Sequence, residues 1–145
     1  MTLKAVVYTS KTNLPAEVFE HSLEFDDATG ETYSDEPGFN ARFPKTNFVA
    51  AEAELGNVTL VSRLYQMIST VVDREDQSVI LQKVLYSGTH CGDTLHSENI
   101  KQMQAEINAI KQSAVGAEPD VASLLRHLSN LARSAEEQRQ PIVFV

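Results

Sequence analysis

Pro119-Asp120-Val121-Ala122-Ser123-Leu124-Leu125-Arg126-His127-Leu128-Ser129-Asn130-Leu131-Ala132-Arg133-Ser134-Ala135-Glu136-Glu137-Gln138, then Arg139-Gln140-Pro141-Ile142-Val143-Phe144-Val145, sets a helix directly before a strand. Pro119 suits a first helical turn, where its missing N–H has no bond to lose. Val121, Leu124, Leu125, Leu128, Leu131, Ala132 and Ala135 repeat at helical spacing and form one apolar stripe. His127 borders that stripe. Pro141 separates the helix from Ile142–Val145, whose β-branched and aromatic side chains predict a closing strand. A one-striped helix has to bury that stripe against another layer, and with a strand beside it the predicted class is α+β.

Working back along the chain, a second helix is predicted from Ser97, read as its cap, with Glu98 near the positive end of the helix dipole. Ile100, Met103, Ile107 and Ile110 are its stripe, and Gly116 is read as its left-handed stop. A third helix is predicted over Val58–Val72, with apolar residues at 61, 64, 65, 68, 71 and 72. Ser78–Tyr86 fits helix or strand. Its shortness, its Ser87-Gly88 end and the need of the helices for a sheet favour a strand. Leu3–Thr9 reads as an opening strand. Ser22–Asp27 and Glu31–Ser34 alternate around Gly30 and read as an acidic hairpin. Asp35–Thr46, with Pro37, Gly38 and Pro44, reads as an irregular connection.

The expected fold is a small mixed or antiparallel sheet covered by about three helices. The sheet would use the opening strand, the hairpin, a strand near residue 81 and the closing strand. At 145 residues one domain is expected, with an acidic part at about 11–56 and a helical C-terminal part. Hydrophobic residues at 42% and charged residues at 22% exclude disorder along the whole chain.

The net charge of −8 is unevenly spread. Residues 1–56 hold ten acids against four bases and contribute −6, leaving −2 for the remaining chain. That field repels a phosphate backbone, so nucleic acid is not expected as a direct partner. Glu17, Glu20, Glu24, Asp26, Asp27, Glu31, Asp35 and Glu36 are interleaved with Phe19, Phe25, Tyr33 and Phe39, with no Lys or Arg among them. Read functionally, this is a docking surface for a basic protein, in which charge speeds encounter and aromatic anchors slow release. Read structurally, it is a solvated acidic surface. The residues taken as partner-binding are Glu17, Glu20, Glu24, Phe25, Asp26, Asp27, Glu31, Tyr33, Asp35 and Glu36.

Ser87-Gly88-Thr89-His90-Cys91-Gly92-Asp93, followed by His96, gathers reactive groups and suggests an alternative, a small enzyme with a pocket at His90, Cys91 and Asp93. Neighbouring residues in an extended segment point to opposite faces, which opposes a Cys91–His90 dyad. Cys91 is read instead as a small, buried or half-buried residue of a turn. The same cluster lacks the ligand spacing of a zinc site, and the acidic hairpin lacks the order of a calcium loop, so neither metal nor other cofactor is expected. A non-catalytic scaffold is the third reading. A single cysteine gives no intramolecular disulfide, the start of the chain lacks a signal-like apolar run, and no stretch nears the ~18 residues of a bilayer span. A cytoplasmic location without membrane contact is the expectation.

Lys83-Val84-Leu85-Tyr86-Ser87-Gly88, the helical Gln104-Ala105-Glu106-Ile107-Asn108-Ala109-Ile110 and the late Pro141-Ile142-Val143-Phe144 together resemble small bacterial immunity proteins of polymorphic or contact-dependent growth-inhibition toxin systems. The resemblance covers residues 80 to 145. It implies a cytoplasmic, non-catalytic protein that neutralises a cognate toxin C-terminal domain by covering its active site or substrate groove. Many such domains are basic nucleases, whose Lys and Arg would meet Glu and Asp in place of phosphates while Phe25 or Tyr33 fills a pocket.

Overall fold

The computed structural model describes all of residues 1–145. Its central strand is β1, Thr2–Tyr8, where Leu3, Ala5 and Val7 alternate with Lys4, Val6 and Tyr8 so that the two sets face opposite sides of the sheet. The remaining strands are β2 (Glu24–Phe25), β3 (Thr32–Tyr33), β4 (Val49–Asn57), β5 (Thr94–Leu95) and β6 (Ile142–Phe144). The main sheet runs β4-β1-β6-β5 and is antiparallel throughout, while β2 and β3 pair only with each other. The helices are a single turn α1 (Phe39–Arg42), then α2 (Val58–Ser69), α3 (Ser97–Lys111) and α4 (Pro119–Gln138).

The expected α+β class is the observed one, and α2, α3 and α4 supply the three covering helices. The stripe of α4 is buried as its spacing predicts, from Val121 to Ala135. It packs on β1 and β4, and α3 packs on α4. Together with Leu3, Ala5, Val7, Leu55, Ile142 and Phe144 these helices close a core of 26 buried residues, with Ala51 and Ala53 packed against it. At about 25 cal/mol per Å² of apolar surface removed from water, this core is the main source of stability.

Four sequence expectations need correction. The acidic hairpin does not join the main sheet; the edge beside β1 is taken by β4, whose run Ala50-Ala51-Glu52-Ala53-Glu54 uses residues of low strand propensity and is held by pairing with β1 and by packing against α4. Ser78–Tyr86 is not a strand. Ile80–Val84 forms a π-helical turn, and Ile80, Leu81 and Val84 are fully buried. Its N-terminal donors are met from α3, because the Glu106 carboxylate accepts the amides of Val79 (2.8 Å) and Ile80 (3.2 Å) and the Ser78 hydroxyl (2.5 Å). Ser97 is the first residue of α3 rather than its cap, a position held by His96 without a side-chain bond. Gly116 does not adopt a positive φ. It is small because a Cβ there would stand 2.4 Å from the Ile110 carbonyl oxygen.

The segment expected to be an irregular connection has a core of its own. Leu14, Val18, Phe39, Phe43 and Phe48 form a separate buried cluster, with Leu23 against it. Phe39 and Phe43 lie 5.1 Å apart between ring centres, and His21 meets their rings edge-on at 5.5 and 5.4 Å. This small lobe, residues 9–48, is fastened to the end of α4. Gln138 Oε1 accepts the Ser10 amide (2.9 Å) and the Asn13 side-chain amide (3.0 Å), and Gln140 Nε2 donates to the Gly30 carbonyl (3.1 Å). Gly30 has the expected positive φ, 78°, and a Cβ there would collide with the Gln140 side chain.

Candidate functional site

The lobe carries all eight carboxylates between Glu17 and Glu36 against Lys11, Arg42 and Lys45. Glu17, Glu20, Glu24, Asp27, Asp35 and Glu36 are exposed, while Asp26 and Glu31 are half-buried. Only Glu36 is ion-paired, to His21 Nδ1 at 2.8 Å. Asp26 has local work, since its Oδ1 accepts the amides of Ala28 (2.9 Å) and Thr29 (3.4 Å) and thereby shapes the hairpin turn. The other carboxylates are held on the surface without cationic partners, which leaves a negative field over this end of the molecule.

The predicted aromatic anchors are divided. In the β2–β3 pair Glu24 lies opposite Tyr33 and Phe25 opposite Thr32, so Phe25 and Tyr33 leave opposite faces of the hairpin. Both are exposed, at 38% and 39%, and Phe19 is exposed at 51%. Phe25 is covered in part by Lys11, whose Nζ stands 3.8 Å from the ring centre. Phe39, by contrast, is a core residue of the lobe.

Between the lobe and the main sheet lies a cleft of about 180 Å³, which the sequence reading missed because its walls come from distant segments. Val6, Tyr8, Phe39 and Phe48 supply rings and methyls, Glu31, Thr32 and Tyr33 stand along one side, and Lys45 is on the lining too. Glu31's carboxylate takes part in no hydrogen bond or ion pair. Thr32 is 3% exposed and its hydroxyl has no partner. Burial, followed by the charges of Glu31 and Asp26, pushes the Tyr8 phenol above its ordinary pKa.

The group at His90 is arranged otherwise than a thiol–imidazole pair. Nε2 of His90 is 2.7 Å from the Val84 carbonyl and therefore carries the proton it donates there, while Nδ1 stands 3.1 Å from Asp93 Oδ2. Nε2 is thus committed to Val84, and Nδ1 is buried beside Asp93 without a hydrogen bond, so neither nitrogen is paired with Cys91. The ring is enclosed by Tyr86 and Phe144, with centroids at 4.5 and 4.4 Å, and the histidine side chain is 5% exposed. Tyr86 donates its hydroxyl to Asp93, and that bond to a carboxylate pushes the phenol up to about 12. The loop is sewn to β6 by Gly92 N–H to the Phe144 carbonyl (2.7 Å) and Phe144 N–H to the Asp93 carbonyl (2.9 Å). Cys91 itself is exposed, contrary to the expected buried or half-buried position. His96 reaches Thr94 Oγ1 (3.1 Å), and His127 is half-buried beside the α4 stripe.

Compared with protein-family models, curated proteins and solved structures, the chain matches none. No helix is long and apolar enough to cross a membrane.

Proposed function

We propose that this protein is a bacterial immunity protein, acting in the cytoplasm, that binds and neutralises the basic C-terminal nuclease domain of a cognate toxin through its acidic lobe. The observation that carries the reading is the lobe itself: eight carboxylates of which only Glu36 is ion-paired, and three exposed aromatic rings, on a small body whose buried cluster is separate from the main core. A nuclease grips phosphates with Lys and Arg, and Glu17, Glu20, Glu24 and Asp27 offer the same charge in a form that cannot be cleaved. Phe19, Phe25 and Tyr33 add apolar contact area, of which buried rings contribute most to affinity.

The test is calorimetric titration of the chain with the toxin domain encoded beside its gene, at two salt concentrations. The expected result is nanomolar affinity that weakens with salt, and a roughly hundredfold loss when Glu17, Glu20, Glu24 and Asp27 are all changed to Lys. Unchanged affinity and salt response in that variant would exclude the lobe as the interface.

A further inference from the structure

We infer that the cleft between β1 and the acidic lobe is a socket for one lysine or arginine side chain of a basic protein partner. This deepens the proposed function and rests on reading the lobe as a docking face. The size of the cleft limits the occupant: about 180 Å³ is smaller than the ~300–1,000 Å³ of ordinary cofactor and metabolite pockets, and suits a single side chain. Its chemistry limits the occupant further. The Phe39 and Phe48 rings and the Val6 methyls match an alkyl stem, while the side-chain oxygens of Glu31 and Thr32 on the same lining accept from no donor.

Glu31 has a free carboxylate at the cleft, and the buried Thr32 hydroxyl beside it has no partner. A guanidinium or ammonium group supplies N–H donors and a positive charge together, and a charge-assisted bond to a partly desolvated carboxylate is stronger than one in open water. Burial does most to raise the Tyr8 phenol above its ordinary pKa, and the nearby charges of Glu31 and Asp26 add to it. Lys45 opposes this field from the lining, so a cationic occupant makes it an unfavourable neighbour and an anionic occupant would make it the principal contact.

That opposition gives the test its sign. The full chain, labelled with ¹⁵N, is titrated with the capped tripeptide N-acetyl-glycyl-arginyl-glycinamide and with its neutral citrulline counterpart. The arginine peptide is expected to shift the amides of Tyr8, Glu31 and Thr32 saturably, and the citrulline peptide to bind roughly tenfold more weakly. Glu31→Gln should weaken the arginine peptide about tenfold, and Lys45→Gln should tighten it a few-fold. Equal binding of both peptides, the reverse order of the two variants, or shifts confined to other surfaces would overturn the inference. Both substitutions lie at partly or fully exposed positions, and unchanged amide spectra elsewhere verify the fold. No toxin is present in this experiment, so its failure is separate from failure of the immunity reading, which the toxin titration alone decides.

Discussion

The body of the molecule and its acidic lobe are built on different terms. The body buries 26 core residues from long periodic elements, whereas the lobe buries five, from 3-10 turns and one turn of helix, and is tied to α4 by two glutamines. Charge follows the same division. Eight carboxylates and three bases stand on the thinly packed lobe, where mutual repulsion opposes compactness and few apolar contacts offset it. The recognition role proposed for the lobe is compatible with this division, because its charges can be arranged without disturbing the core that holds the chain folded.

The comparison can be broken first at the body. Leu128 on α4 is fully buried, and Leu128→Ala should destabilise the whole chain by about 3 kcal/mol, read as a single lowered denaturant midpoint in far-UV circular dichroism. Loss of lobe signals alone would refute the body as the principal core. Phe43, 7% exposed at the centre of the aromatic cluster, sharpens the contrast. Phe43→Ala should cost about 2 kcal/mol, less than in a deep core, and hydrogen exchange should rise across residues 11–48 while α3 and α4 keep their protection.

The smallest effect concerns Tyr86. Its phenol is held neutral by Asp93, so the stability linked to that bond is complete below the ordinary value of 10.0 and is lost as pH rises toward about 12. In ultraviolet titration of the chain's four tyrosines, the latest component, near pH 12, should disappear in Tyr86→Phe.

The body was legible where periodicity carries information. The α4 stripe, the α3 stripe, Pro119 as a first-turn residue and the strands at both ends follow from spacing and side-chain shape. The larger failures have a common physical cause, since β4 and Ile80–Val84 are decided by partners far along the chain, whereas the Ser97 and Gly116 corrections are local. β4 is a strand because β1 and its bulged register accept it, although Ala and Glu favour helix locally. Ile80–Val84 is helical because Glu106, on another helix, receives its first amides. At the candidate site, the acidic residues were visible in sequence, but the opposite facing of Phe25 and Tyr33 depended on hairpin register. The cleft needed Tyr8, Thr32 and Phe48 to meet, which no local pattern announces.

Hydrogen exchange of the full chain, measured alone and with the basic toxin domain proposed as its partner, tests the division of labour most directly. The expected result is faster exchange in residues 11–48 than in α3 and α4 when free, and added protection confined to residues 11–48 when bound. Added protection on α3 and α4 with none in the lobe would contradict the account.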